Sequence, residues 1–283
     1  MNYYLIIPAY NEAQHIHLTL QSIANQTVTP ARVIVVNDNS TDDTAAIVMQ
    51  FVAEYSWLKM VNKTSEAIHL PGSKVIQAFQ KGLEQVDDNY DFIVKLDADL
   101  ILPPNYFEKI IQIFNSDAAI GMAGGFAYIQ KNEDWILENL TDKDHIRGAF
   151  KAYRKKCFQD IGGLKPAMGW DTVDELLAKF YNWKVVTDAS LKIKHLKPTG
   201  ASYNQAARYK QGEAFYTLGY GFMITAIASL KLALMKKKPL LFIDYIRGFW
   251  KAKKAKKEWL VTQEQARFIR NYRWKKMKEK LFR

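Results

Sequence analysis

The chain reads as an α/β fold, a Rossmann-like, mostly parallel central sheet flanked by helices, followed by a helical, basic C-terminal extension. Three observations predict this. Over the first hundred residues, short β-rich runs alternate with stretches whose apolar residues recur every three or four positions. Polar residues cluster immediately after those β-runs, and the excess positive charge is confined to residues 231–283.

The β-rich runs are residues 3–7, 32–36, 58–62 and 92–96. Between them, Ile16, Leu20 and Ile23, then Ala46, Ile47 and Phe51, mark crossover helices, as a parallel sheet requires. Ser40 followed three residues later by Asp43 resembles a capping arrangement, and Asp42 and Asp43 suit a helix N-terminus. Beyond residue 119 the pattern gives a strand over 120–129, a charged stretch over 131–144 and a helix over 148–160 that Gly162-Gly163 ends. A helix over 172–182 and strands over 184–187 and 191–195 follow, and the body closes around residues 197–200. The expected organisation is a body over residues 1–200 and a helical, membrane-proximal extension over 201–283.

Residues 1–230 hold 22 Lys and Arg against 25 Asp and Glu, whereas residues 231–283 hold 18 against 4. A near-neutral body carrying a net +14 tail points to a polyanionic surface as partner. A single cysteine, Cys157, excludes a disulfide framework, a Cys-based zinc site and a CxxC redox motif. No secretory signal precedes the first β-run, so a reducing, cytosolic setting is expected. Neither GxGxxG nor GxxxxGK[ST] occurs, which argues against NAD-type oxidoreductases and P-loop NTPases.

In open α/β sheets ligands sit outside the carboxyl ends of the strands. There this chain places Pro8-Ala9-Tyr10-Asn11-Glu12, Asn37-Asp38-Asn39-Ser40-Thr41-Asp42 and Asp97-Ala98-Asp99. Two carboxylates two residues apart at a strand end suit Mg²⁺ or Mn²⁺ shared with a diphosphate, while the bland alternative is a solvated turn capping the next helix.

Residues 6–12 resemble the opening strand motif of family 2 glycosyltransferases of the GT-A fold. Residues 35–44 resemble their second motif, which usually has Asp where this chain has Asn37 and Gly where it has Asn39; Gly72-Ser73-Lys74 with Gly82 resembles the third, and Asp97-Ala98-Asp99 the metal motif. The resemblance covers about residues 1–200 and implies a nucleotide-diphosphate sugar as donor. It places Pro8, Tyr10 and Glu12 beside the base and ribose, Asp38 on the base, Lys74 near the diphosphate, Asp97 on the nucleotide or sugar and Asp99 on the metal. Core packing for Tyr10 and a surface role for Lys74 are the plain alternatives. His195 resembles the late histidine of the metal shell, and imidazole suits Mn²⁺ better than Mg²⁺. His15, His17, His69 and His145 match no motif and are read as surface or packing residues.

Inverting transfer needs a base for the acceptor hydroxyl. The family takes it from a Glu-Asp pair ahead of an acceptor-side helix; here the segment reads Gly169-Trp170-Asp171-Thr172-Val173-Asp174, with Trp170 in place of the Glu. The resemblance puts Asp171 at the base position, with Asp174 the second candidate and a helix cap the alternative for Asp171. Trp170 is either an acceptor-binding platform for a sugar face or a core residue.

Residues 214–230 form a run of 17 without a charge, at the lower edge for spanning a bilayer and weakened by Gly219 and Gly221, so a packed or interfacial helix is expected. Phe249 and Trp250 interleave with Lys251, Lys253, Lys254, Lys256 and Lys257, which suits anionic lipid headgroups; no nucleic-acid module accompanies them and none is expected as partner. The processive Gln-x-x-Arg-Trp motif of the family is missing, since Arg270 stands three before Arg273-Trp274. The expectation is a single-addition, inverting, metal-dependent transferase at the inner membrane face, acting on a glycan or lipid-linked acceptor in cell-envelope polysaccharide or glycolipid synthesis. A nucleotidyltransferase or a non-catalytic membrane-binding module are the alternatives.

Overall fold

The computed structural model describes residues 1–64, 72–138, 144–197 and 209–281. His69 and most of the expected closure at 197–200 lie outside them. The described residues build ten α-helices and one nine-stranded sheet.

The first half follows the alternation of periods. Strands β1 (Tyr3–Ala9), β2 (Arg32–Asp38), β3 (Leu58–Lys63) and β4 (Phe92–Leu96) pair in parallel in the order β3-β2-β1-β4. Helices α1 (Ile16–Ala24), α2 (Thr44–Glu54) and α3 (Ser73–Leu83) make the crossovers. β1, β2 and β4 are buried almost throughout, as strands covered on both faces must be. α3 lies so close to the sheet that a Cβ on Gly82 would sit 2.5 Å from the Ile6 side chain. Gly82 is therefore required for helix-on-sheet packing rather than for a ligand. The second crossover is capped differently from the sequence expectation. Asp42 accepts from the Thr44 amide (3.1 Å), whereas Ser40 Oγ accepts from the Asn11 amide (3.0 Å) and Asp43 makes no capping bond.

The second half comprises β5 (Leu100–Ile101), α4 (Tyr106–Ser116), β6 (Ile120–Lys131), β7 (Asp134–Leu137), β8 (Phe150–Arg154), α5 (Lys155–Asp160), α6 (Trp170–Phe180) and β9 (Lys184–His195). The sheet continues β4-β8-β6-β9-β5; β8 runs antiparallel to both β4 and β6, and β9 runs parallel to β6. The helix expected over 148–160 is thus a strand followed by a short helix. Phe150, Lys151, Ala152 and Tyr153 are each fully buried, and a strand covered on both faces carries no period to separate it from a helix. The two strands expected over 184–195 are one strand with register shifts against β6, where a Cβ on Gly125 would meet Leu191 O at 2.2 Å.

Four helices complete the chain: α7 (Lys210–Thr217), α8 (Phe222–Met235), α9 (Leu240–Lys254) and α10 (Gln263–Leu281). The uncharged run 214–230 is broken between α7 and α8, where Gly219 adopts φ +73°. α7 and α9 cross in backbone contact, since a Cβ on Gly212 would lie 1.8 Å from Tyr245 O and one on Gly248 2.0 Å from Tyr209 O. Phe215, Leu218, Tyr220, Phe249 and Ile269 join the same core as the sheet. α10 lies along α6, with Phe268 and Phe180 rings 5.5 Å apart and Lys179 over Tyr272.

Candidate active site

At the carboxyl ends of β1 and β2 two loops are laced together. Thr41 N donates to Asn11 Oδ1 (2.8 Å), Glu12 N to Thr44 Oγ1 (2.7 Å) and Ala13 N to Asp42 Oδ2 (3.1 Å). Asn11 and Asn39 both hold positive φ, 51° and 64°, the left-handed region that Asn tolerates better than other side-chain-bearing residues. Asn39 can therefore stand where the family pattern has Gly. Asn37 donates from Nδ2 to Asn62 Oδ1 at 2.9 Å, and its Oδ1 accepts from Ser40 N at 3.2 Å. Those are amide contacts, so Asn37 keeps this corner in order without a charge. Asp38 is buried beside Lys63, Nζ to Oδ1 3.1 Å, because β2 and β3 pair Asp38 with Lys63.

Around this frame lie the other donor-side candidates. Pro8 is half-buried opposite Val36, and Tyr10 is 60% exposed at the rim, not a core residue. Glu12 pairs with Lys197, Oε2 to Nζ 2.5 Å; burial nevertheless raises its carboxyl above the usual range. Lys74 lies half-buried in the first turn of α3, behind Gly72 at φ +75°.

Asp97, Asp99 and His195 converge. The turn after β4 is pinned by Asp97 N donating to Ala149 O (2.8 Å) and by Thr19 Oγ1 donating to Ala98 O (2.8 Å). β5 pairs Leu100 with His195, which delivers the imidazole to the same rim. His195 Nε2 lies 3.5 Å from Asp99 Oδ2, and one ligand atom from each of the three residues falls within 4.8 Å of the others. Octahedral ligands with bonds of about 2.1 Å stand about 3 Å apart on neighbouring corners and about 4.2 Å apart on opposite ones, so two carboxylates and an imidazole fit a hard divalent cation. Burial raises the Asp97 carboxyl despite Lys95, its ion-pair partner. For Asp99 burial acts the same way, but His195, Lys197 and Lys95 outweigh it and hold the carboxyl low.

Two residues that the sequence reading did not single out, Glu138 in the charged stretch and Arg147 just beyond it, stand behind this cluster. Glu138 Oε2 lies 3.5 Å from His195 Nδ1, a buried nitrogen with no hydrogen-bond partner among the described residues. Arg147 forms an ion pair with Glu138, and burial lowers its pKa against the opposing pull of Asp97, Asp171 and Asp99. The Arg147 guanidinium thus lies within the field of all three of these carboxylates.

The expected acceptor side is the N-terminus of α6, entered through Gly169 at φ +84°. Asp171 lies in its first turn, its side chain 37% exposed and its Oδ2 3.9 Å from His145 Nε2. His145 also pairs with Glu175, Nδ1 to Oε1 3.1 Å, so it is an inner partner of this site and not a surface residue. Asp174 is different from the expectation of a second base. Its carboxylate is sealed between Lys151 Nζ (2.9 and 3.1 Å) and Tyr153 OH (2.6 Å), with burial raising its pKa, so no acceptor reaches it. Lys151 is fully buried in β8, also 3.1 Å from Glu175 and donating to Asp171 O. Trp170 is buried too. Lys95 and Lys151 sit over its ring and a Cβ on Gly148 would touch it at 2.5 Å, so it offers no open face to a sugar and packs the base of the site.

Comparison with known proteins bears on the family and the fold. Residues 4–166 match the family described as Glycosyl transferase family 2. The chain is 27% identical over 175 residues to an uncharacterised glycosyltransferase of Mycoplasma genitalium, covering 57% of this chain and 56% of that protein. It is 24% identical over 186 residues to the poly-beta-1,6-N-acetyl-D-glucosamine synthase of Staphylococcus epidermidis, covering 59% of this chain and 41% of the synthase. The chain thus spans about half the length or less of these relatives. Among solved structures, a mannosyltransferase of Pyrobaculum calidifontis in complex with GDP-Man and Mn²⁺ superposes with a TM-score of 0.59 over 95% of this chain and 78% of the other, at 16% identity. TarS of S. aureus with UDP superposes with a TM-score of 0.55 over 90% and 92% of the two chains, at 14% identity. The matched family, over more than half the chain, and the fold agree: the chain belongs to glycosyl transferase family 2 and is a glycosyltransferase of the GT-A fold.

Proposed function

We propose that this glycosyltransferase moves one sugar from a nucleotide-diphosphate donor to a glycan or lipid-linked acceptor with inversion, in cell-envelope polysaccharide or glycolipid synthesis at the inner face of the membrane. The observation that carries the reading is the convergence of Asp97, Asp99 and His195 at the sheet rim. The laced loops after β1 and β2 bind the nucleotide through Pro8, Tyr10, Glu12 and Asp38, and Lys74 serves the diphosphate. Asp97, Asp99 and His195 would hold a divalent cation, which neutralises the diphosphate leaving group when bound.

Asp171 takes the proton from the acceptor hydroxyl. That oxygen forms its bond to the anomeric carbon from the face opposite the breaking carbon–oxygen bond, and the nucleoside diphosphate leaves with the electron pair. Asp171 is the one of the two candidate bases that solvent and an acceptor can reach. Lys151 and His145 fix the turn of α6 that presents it. The polysaccharide synthase activity belongs to a relative; what it supports here is a glycan acceptor. Absence of Gln-x-x-Arg-Trp around Arg273-Trp274 supports single addition. The family match sets aside a nucleotidyltransferase or a purely non-catalytic module.

Thermal stabilisation by UDP, GDP, dTDP and CMP, each with and without Mn²⁺, tests the donor and metal readings together. One nucleotide is expected to stabilise the protein only with the metal, and Asp99→Ala to remove that coupling. Asp171→Asn is expected to keep the shift but lose sugar transfer; full transfer by Asp171→Asn would overturn the base assignment.

A further inference from the structure

We infer that the outer face of α8 inserts into the headgroup region of an anionic bilayer and is the apolar part of this protein's membrane contact. The inference deepens the proposal that the acceptor is met at a membrane, and it does not depend on the donor or base assignments.

α8 has two unlike faces. Ile224, Thr225, Ser229 and Ala233 are buried against the protein. Met223, Ile227, Leu230 and Leu234, spaced four, three and four residues apart, form one stripe on the opposite side, and Met223 and Leu234 are 61% and 64% exposed. No charged side chain interrupts the stripe; Lys231 borders it. Lys236, Lys237 and Lys238 follow at its C-terminal end, and Leu240, 74% exposed, extends the apolar surface beyond them. At the other end the exposed rings of Phe222 and Trp250 stand 5.6 Å apart. The sequence directs attention to the aromatic, lysine-rich segment of α9, but Phe249 there is turned inward, which leaves Trp250 and the lysines outside. Greasy insertion and cationic attraction are thus divided between two neighbouring helices.

The size and charge of this face name its occupant. A helix of 14 residues is about 21 Å long, short of the about 30 Å hydrocarbon core, and among the described residues no helix is long and apolar enough to cross a membrane. It fits a helix lying in the plane of the interface, buried about 5–10 Å deep with lysines at headgroup level. Residues 231–283 carry a net +14, which repels a second copy brought against the same face and attracts acidic headgroups.

The test uses the full chain and sedimentation with vesicles of phosphatidylcholine, with and without phosphatidylglycerol. Binding is expected to need the anionic lipid and to weaken with salt. The double variant Leu230→Glu/Leu234→Glu should bind about tenfold or more weaker, while its nucleotide- and metal-dependent thermal shift stays that of the parent chain. Ile227→Cys carrying an environment-sensitive dye should shift to the blue on vesicle addition, Cys157 being buried. Unchanged vesicle binding by the double variant, or no spectral shift, overturns the inference. So does a dimer of the parent chain that the double variant dissociates, which would assign the face to a second copy. A parent chain that binds vesicles but responds to no nucleotide leaves this inference standing and removes the donor reading.

Discussion

Lys151→Met is the sharpest probe of how the acceptor side is held. Lys151 lies in the middle of β8 with no exposed side-chain surface, 2.9 Å from Asp174 Oδ1 and 3.1 Å from Glu175 Oε1. Methionine keeps the stem and removes the charge, leaving two buried carboxylates facing each other. Breaking a buried ion pair from one side costs about 3–5 kcal/mol. Glu175 gives an independent figure: burial raises its carboxyl, but Lys151, His145 and Lys179 outweigh it and bring it from 4.5 to about 2. Together these cations favour the ionised carboxylate by about 3–4 kcal/mol net of burial. Because the folded pKa is depressed, this stabilisation is complete above pH 4.5 and is lost as pH falls through about 2. Without Lys151 the folded carboxyl rises, and the variant recovers part of its deficit by taking up a proton as the pH drops. Urea unfolding of both proteins at about pH 7 and about pH 5 should therefore show a deficit of about 3–5 kcal/mol that narrows at the lower pH. A deficit under about 1 kcal/mol at neutral pH, or one equal at both, would refute the reasoning.

Other outcomes follow from buried groups elsewhere in the fold. Burial pushes the Cys157 thiol up to about 12, so alkylation of the folded protein should be about a thousandfold slower than of the urea-unfolded chain; comparable rates would contradict its placement. Gly212→Ala should destabilise the protein by more than about 1 kcal/mol in chemical unfolding, because the new methyl meets the backbone of α9; an unchanged midpoint would show that α7 can shift freely. Glu138→Gln should weaken Mn²⁺ binding about tenfold or more, read as free Mn²⁺ by electron paramagnetic resonance, and should also lower the melting temperature of the metal-free fold, because it removes the charge that faces Arg147. Equal Mn²⁺ affinity in the two proteins would mean that Glu138 does not hold His195 from behind.

The half of the fold that was legible in sequence is the half built locally. β1 to β4 alternate with crossover helices within a few dozen residues of one another, so period and strand-end polarity alone locate Asp38, Asp97 and Asp99. β8 was not legible, since its neighbours β4 and β6 come from distant parts of the chain and both of its faces are covered. Lys151, in the middle of it, looks like a solvent-facing residue until Asp174 and Glu175 of α6 are brought against it. Glu138 and Arg147 were hidden for the same reason, since their pairing with each other and the approach of Glu138 to His195 are made by tertiary structure. Trp170 was ambiguous from the start, and the lysines over its ring decide for packing. Asp174 lost its expected part because one helical turn carried it from the rim into the core.

The contact of α10 with α6 bears on the order in which the molecule is completed. β1 to β4 and their crossovers close over short stretches of chain, so the nucleotide half can assemble while synthesis continues. The helix that presents Asp171 instead rests on Phe268 and Tyr272, so its packing is finished only after residues 263–281 have been made. A nascent chain can therefore shape the loops after β1 and β2 before the helix carrying Asp171 is braced, and α6 gains its full packing only once α10 has been made.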